Sequence, residues 1–411
     1  MNDAANDAAS TTGHAGGLPE YDIAVVGGGV VGLSIAWELL RRGRHVAILD
    51  RAPLGQGTSW AAAGILPPAN FDRATDPIDR LRGYSHTLWP VWCRQLIEAT
   101  GIAPELDRCG GIYLPETAGE AAAMTGMVGY WRDLGIECQQ LNRRQLIERF
   151  AWLAPWAESN RWIAEHPDAA GWWTPDEYQI RPPRLLAALE RACRLSGAAV
   201  KTPFAAGEIL ADADGVTVRP SGEAETAAVR AGQVVMCGGA ASGWVDPGMR
   251  LQQSIVPIRG QILLLYHEAV RRRMIVNSGN QYLIARGDGH VLVGSSEEEV
   301  GFQLGTTEEV ISELQAFARR LMPPLKEATE RRRWSGLRPM TFDGFPMLGT
   351  LPDAGGERWY GRVHVAAGHY RSGIHLAPGT AVAMADLLSG KATFMGLDAF
   401  AVGKQQSVSN E

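Results

Sequence analysis

Lysine is scarce in this chain: among 411 residues it occurs at 201, 326, 391 and 404 and nowhere else. Positive charge therefore rests on arginine, and its densest runs are Arg271–Arg273 and Arg331–Arg333, each read as solvated surface. With a net charge of −6 and no basic stripe, the chain lacks the footprint of a nucleic-acid binder. Cysteine is also sparse. Cys93, Cys109, Cys138, Cys193 and Cys237 are widely spaced and form no CxxC pair, which argues against a disulfide framework or a structural zinc site. They read as reduced thiols, and no metal is expected. No apolar run reaches the roughly 18 residues of a membrane span. No Lys or Arg precedes Arg41, and the first 18 residues are small and polar, so a signal peptide is not indicated. Residues 1–18 are expected to be a disordered tail, and the location cytoplasmic.

What is present is an ordinary globular balance, 45% hydrophobic and 20% charged, in a chain long enough for two cores. The 48 glycines fall in short clusters without a period, so they mark turns and close approaches rather than a repeat. Ile23–Val26 reads as a buried parallel strand. Leu33, Ala36, Trp37 and Leu40 recur at helical spacing up to a C-terminal Gly43, and Val46–Leu49 is the next strand. Together they make a βαβ unit. Further helices are expected over 94–100, 120–134, 184–196, 308–322 and 380–388. Strands are expected over 111–114, 215–218, 228–237, 261–266, 281–285, 291–293 and 363–367. The fold class is α/β, or α+β overall, with a β-rich middle.

Within the βαβ unit stands Gly27-x-Gly29-x-x-Gly32. The first glycine makes the tight turn, the second admits a pyrophosphate to the backbone, and the third lets helix and strand pack. Bare N–H groups at the positive end of the helix then hold the anion. Asp50 closes the second strand, where a carboxylate accepts the ribose hydroxyls and repels a 2′-phosphate. This is a Rossmann-type dinucleotide site, disfavouring NADP but not separating FAD from NAD.

Three later motifs narrow the reading: Thr58-Ser59-Trp60-Ala61-Ala62-Ala63-Gly64-Ile65-Leu66, then Gly336-Leu337-Arg338-Pro339 with Asp343-Gly344-Phe345-Pro346, then Ala366-Ala367-Gly368-His369-Tyr370-Arg371-Ser372-Gly373-Ile374. In this order they resemble the D-amino-acid-oxidase-like flavoproteins, especially the glycine oxidases of bacterial thiamine biosynthesis, from about Tyr21 to Leu388. The resemblance implies FAD and a discontinuous Rossmann-type FAD-binding domain (19–88, 173–243 and 332–398). It also implies a substrate domain (89–172 and 244–331) on a large mixed or antiparallel sheet, with 399–411 as a C-terminal tail. By position, Gly27, Gly29, Val30, Val31 and Gly32 would line the pyrophosphate turn, and Asp50 and Arg51 would hold the ribose region. Thr58, Ser59, Ala63, Gly64 and Ile65 would meet the phosphates and flavin edge, and Ala206 the adenine side. Gly368, His369, Tyr370, Arg371, Ser372, Gly373, Ile374 and His375 would wrap the isoalloxazine ring. Gly373 and Ile374 should open a helix or turn near the flavin; a helix N-terminus there would stabilise negative charge on reduced flavin.

Arg338 is the leading substrate-binding candidate. Between Leu337 and Pro339 it is an arginine in apolar company and needs an anion, either an internal acid or a substrate carboxylate; the resemblance gives it the second. Tyr282, on a strand, is by itself a core residue; the resemblance makes it a partner of the same carboxylate. Arg371 either shapes the pocket beside the flavin or pairs with a neighbouring acid. His369 receives no catalytic part, and no residue of the motifs is an evident base. Glu297, in the run Glu297–Glu299, departs from the family, where this position is apolar. It is expected on a solvated turn, with an inward-pointing alternative that would alter substrate choice.

The activity implied is FAD-dependent oxidative deamination of glycine or another small amino acid or amine. Hydride passes from Cα, the imine hydrolyses to an oxo acid and ammonia, and O2 becomes H2O2. The alternatives are a D-amino-acid dehydrogenase using a quinone, a sarcosine-type secondary amine oxidase, and a non-catalytic flavin module. The resemblance sets a contrast with the sarcosine oxidases of the same superfamily, which attach FAD to a late cysteine and activate oxygen with a lysine: no cysteine follows Cys237 and no lysine lies between Lys201 and Lys326, so FAD should be non-covalent and that lysine is not expected. A homo-oligomer remains open.

Overall fold

The structure is a computed structural model that describes residues 19–222, 227–353 and 358–403. The expected tail 1–18 and most of the expected tail 399–411 lie outside the described residues. Two eight-stranded sheets organise the molecule.

The first sheet is built outward from Tyr21–Val26, which pairs in parallel with Val46–Leu49 on one side and Val229–Met236 on the other. Ala199–Lys201 extends one end in parallel, and Val363–Ala367 followed by antiparallel Met347–Thr350 extends the other. Both faces are covered, so alternate residues serve two cores. Ile23 and Val25 pack under the helices Val30–Arg41, Pro182–Leu195 and Gly373–Leu388, whereas Ala24 and Val26 pack under the antiparallel strands Ala206–Ala211 and Val216–Pro220. Each fully buried aliphatic side chain of this kind contributes about 1.5–3 kcal/mol. The helix Pro182–Leu195 starts on Pro182, whose missing N–H costs nothing there, and stops before Gly197 at φ +88°.

The second sheet runs in the order Thr329–Thr341, Ile255–Tyr266, His290–Gly294, Gln281–Arg286, Arg273–Ser278, Gly111–Tyr113, Gly171–Thr174, Gln139–Leu141. Its pairs are antiparallel except Arg273–Ser278 with Gly111–Tyr113. One face packs on the amphipathic helix Glu308–Leu321 through Ile311, Leu314 and Phe317. The other face carries Ile262, Ile275, Ile284 and Leu292 and turns toward Ala63, Ile65 and Trp334.

The long strand Thr329–Thr341 has no counterpart among the strands expected from sequence, because four arginines, a glycine and a proline break the usual strand pattern. It is an edge strand, which tolerates Pro339 and keeps arginines at its rim. Arg331 and Arg332 are exposed and lie over the rings of Tyr266 and Trp60, and Arg333 pairs with Glu330 and Glu308. The expected boundaries at 88, 173 and 332 fall inside the helix Pro77–Thr100, the strand Gly171–Thr174 and the strand Thr329–Thr341. The helix Gly373–Leu388 starts seven residues before the amphipathic pattern at 380, at the Gly373 start also read from the motif.

Candidate active site

The glycine turn joins Val26 to the helix Val30–Arg41. A Cβ on Gly27 would lie 2.5 Å from the carbonyl oxygen of Cys237, and one on Gly32 would lie 1.9 Å from that of Gly27. Gly27 also has φ +114°, so glycine is required there twice over. No side chain of Gly29 caps the helix and no acid occupies its first turn; the Val30 N–H donates to Ser59 Oγ at 3.0 Å. Asp50 meets the turn from the side, its carboxylate accepting from Gly28 N–H at 2.6 Å and Ala52 N–H at 2.9 Å. Arg51 is exposed beside it. Phe204 N–H donates to the Asp50 carbonyl at 2.7 Å, which brings Ala206 to the same edge. These sequence-selected residues therefore gather around one helix N-terminus.

The segment 58–66 is the wedge between the sheets. Thr58 Oγ1 donates to Leu337 O at 2.7 Å and Trp334 Nε1 to Ala61 O at 3.2 Å. A Cβ on Gly336 would lie 2.7 Å from Ala61 Cβ, so glycine lets the strand reach the wedge. Gly64 has φ +78°, and Ile65–Leu66 pairs with Tyr178–Gln179. Arg286 closes the other side, donating to Ala63 O at 2.8 Å, Ile180 O at 2.9 Å and Gln179 Oε1 at 3.1 Å. Burial and nearby Arg181 bring its guanidinium down to about 10. Sequence reading did not single out Arg286; a charge inside an apolar strand was the signal available.

The stretch 368–375 comes up against the same strand. Gly368 has φ +82°, and Tyr370 N–H donates to Pro339 O at 2.9 Å. The helix Gly373–Leu388 then begins with no side-chain cap and no acid in its first turn. His369 turns inward, its Nε2 3.1 Å from Thr380 Oγ1, and burial pulls it down to about 4. His375 also turns inward, 3.2 Å from His86 Nδ1, and burial followed by His86 holds it well below the ordinary histidine value. Both imidazoles thus lie within the core, His375 with its Nδ1 unpartnered, and the exposed side chain of this stretch is Arg371.

Arg338 lies on the sheet face that carries Ile262 and Trp334, in a hollow made by glycine. A Cβ on Gly260 would lie 2.2 Å from its Nη2, and one on Gly294 would lie 2.4 Å from the Tyr282 hydroxyl oxygen. Two neutral acceptors hold the guanidinium: Ser295 Oγ at 2.6 Å and Ser296 O at 3.1 Å. Among the described residues no carboxylate forms an ion pair with it, so the internal-acid alternative finds no partner there. Burial lowers its pKa, an effect that Tyr282 opposes. Tyr282 is pushed up by burial, against a bond to Ser295 and the fields of Arg338 and Arg371. Arg338 and Tyr282 therefore share Ser295. Arg371 pairs with Glu297, both partly exposed.

The three consecutive glutamates do different things. Glu297 binds Arg371, and Glu299 is exposed. Glu298 accepts from Arg259 at 2.7 Å, Gln261 at 2.9 Å and Ser296 at 2.7 Å, and Arg259 holds it down to about 2. This net fixes the turn that supplies Arg338 with its acceptors; sequence reading missed Glu298 and Arg259 because their strands are not adjacent in the chain. A cavity of about 450 Å³ touches Ser295, Ser296 and Glu297, but the rest of its lining includes Glu116, Glu313, Phe317 and Arg320 and neither Arg338 nor Tyr282. It is not the substrate hollow.

A helix N-terminus without an acid behind a glycine turn, with a second sheet carrying a guanidinium that no carboxylate pairs among the described residues, is the arrangement of a dinucleotide-binding protein. The chain belongs to the family described as FAD dependent oxidoreductase (DAO), which matches residues 22–387. It is similar to the glycine oxidase of Geobacillus kaustophilus (strain HTA426), 31% identical over 383 residues, 93% of this chain and 96% of that one. It is similar also to that of Pseudomonas aeruginosa, 29% identical over 391 residues, 90% and 95% of the two chains. The crystal structure of glycine oxidase from Geobacillus kaustophilus matches with a TM-score of 0.83 at 30% identity, covering 94% of this chain and 99% of that one. The protein is an FAD-dependent amino acid oxidoreductase. The glycine cradle, the two helix starts without an acid in the first turn and the wedge of small residues are of the kind FAD requires: backbone N–H groups for its phosphates and small side chains beside its ring. Among the described residues no helix is long and apolar enough to cross a membrane.

Proposed function

We propose that this enzyme oxidises the Cα–N bond of glycine or a comparably small amino acid or amine, with O2 as acceptor. For glycine the balance is glycine, O2 and water giving glyoxylate, ammonia and H2O2. FAD, when bound, takes two electrons and a proton from the substrate as hydride and passes the electrons to the acceptor. The chain itself binds, orients and excludes water. Arg338 grips the substrate carboxylate with the N–H groups not already given to Ser295 and Ser296, and the Tyr282 hydroxyl donates to the same carboxylate. Ile262, Ile284, Leu292 and Trp334 wall the hollow against water. The helix starts at Val30 and Gly373 favour negative charge beside them. Neither His369 nor His375 is placed to take the amine proton, so that proton leaves to water.

The observation that carries this reading is the guanidinium of Arg338, set among apolar side chains with two neutral acceptors and no ion-paired acid among the described residues. FAD is held without a covalent bond, since no cysteine follows Cys237; acid precipitation should leave the yellow colour in the supernatant. The reading is tested by adding glycine, sarcosine and D-amino acids to the yellow protein without oxygen and then admitting air. Bleaching, followed by return of colour with release of peroxide, is expected. Colour that returns only with a quinone would replace O2 as the acceptor, and no bleaching by any amine would remove the proposal.

A further inference from the structure

The substrate hollow and its mouth carry three charges on a closed circuit of contacts. Arg338 donates to Ser295 and Ser296. The next residue, Glu297, accepts from Arg371, and Tyr370 N–H returns to Pro339, the neighbour of Arg338. Arg371 and Glu297 both act electrostatically on Arg338, and Arg371 acts on Tyr282. Glu298 is not part of this balance because Arg259, Gln261 and Ser296 occupy its carboxylate. Arg286 keeps its charge and acts on Tyr282, but its N–H groups are given to Ala63 O, Ile180 O and Gln179 Oε1, so it offers no fork to a second carboxylate. Of the cations with N–H groups to offer a ligand, Arg371 is matched by Glu297 and Arg338 is unmatched, the complement of one carboxylate.

We propose that Glu297 determines specificity by holding Arg371, so that the site accepts amines bearing one carboxylate and rejects those bearing two. This rests on the reading of Arg338 as the carboxylate clamp and adds the substrate class to it. The pair is partly exposed, with side-chain accessibilities of 46% for Arg371 and 37% for Glu297, so it adds little to stability. Its consequence is selective. A second carboxylate reaching Arg371 must displace Glu297 and meet its like charge, whereas with Glu297 neutral the same carboxylate finds a free arginine fork.

The test uses the FAD-loaded enzyme and two ligands without an amine, acetate and malonate, titrated through the change they cause in the flavin spectrum where both acids are fully ionised. In Glu297→Gln the affinity for malonate relative to acetate should rise about three- to fivefold, the size expected for one added charge pair at a partly exposed site. In Glu297→Gln/Arg371→Met that gain should vanish. A ratio that stays at the parent value in Glu297→Gln overturns the proposal, as does a gain that persists without Arg371. Because these titrations need no turnover, they are separable from the oxidase reading. Turnover of glycine and iminodiacetate by the same proteins should follow the same ratio, while a parent that oxidises no amine defeats the oxidase reading alone.

Discussion

At the scale of single residues, the arginine of the clamp is costly to the apoprotein. Arg338 gives up water for a hydroxyl and a carbonyl, and burial already acts against its charge. A carboxylate repays this with charge-assisted bonds of roughly 1.5–3 kcal/mol each. Arg338→Ala should therefore weaken amino acid binding by about a hundredfold or more while the protein stays yellow, read from anaerobic bleaching against substrate concentration. Arg338→Lys should recover part of that loss, since a point charge replaces a fork. Tyr282 shares Ser295 with it and, being pushed up in pKa by burial, stays a donor across the neutral range. Tyr282→Phe should raise KM several-fold, by about 1 kcal/mol for one hydrogen bond, with a smaller effect on kcat.

At the scale of elements, turns and helix starts supply the chemistry. Gly32→Ala places a methyl against the Gly27 carbonyl, 1.9 Å away before relaxation, so the helix must shift from the strand. That variant should purify colourless, or lose FAD on gel filtration, with far-ultraviolet dichroism close to the parent. The Ser295–Glu299 turn depends on Glu298. Its carboxylate is held at about 2 by Arg259, so it stabilises the fold above its unfolded pKa near 4.5, and that contribution is lost as pH falls toward 2. Glu298→Gln should therefore lower the melting temperature at neutral pH, less so in acid, and should weaken substrate binding through loss of order at Ser295 and Ser296.

At the scale of the whole molecule, the two sheets meet at the 58–66 wedge, and polar groups buried near that junction make stability depend on pH. Glu177 is fully buried against Gly111; Tyr113 donates to its Oε2 at 3.0 Å, and its Oε1 has no hydrogen-bond partner. Burial raises it to about 7. The native state then binds its proton more tightly than the unfolded chain, so this group's contribution is full below the unfolded value near 4.5 and is lost as pH rises through about 7. Glu177→Gln supplies a neutral isostere. Its melting temperature should exceed the parent's above pH 7 by an amount equivalent to about 1–3 kcal/mol. The two should converge toward pH 4, as followed by scanning calorimetry across pH. Equal differences at all pH values would mean that the carboxylate does not titrate in this window.

The local order of residues determined the dinucleotide half of this protein. Strand, glycine turn, helix and Asp50 lie within one continuous stretch, and backbone sterics and period-3.6 packing act over that distance. Arg338 was legible for a related reason: charge between apolar neighbours shows in the chain itself. Only tertiary structure decided what surrounds it. The hollow comes from Gly260 and Gly294 on strands far apart in sequence, its acceptors from a turn held by Arg259 and Glu298, and the partner of Arg371 from a segment 74 residues away. The edge strand Thr329–Thr341 is held by pairing with Ile255–Tyr266 along its length rather than by its own propensity. Sheet pairing and charge pairing are contacts across space, and a reading of local pattern does not contain them.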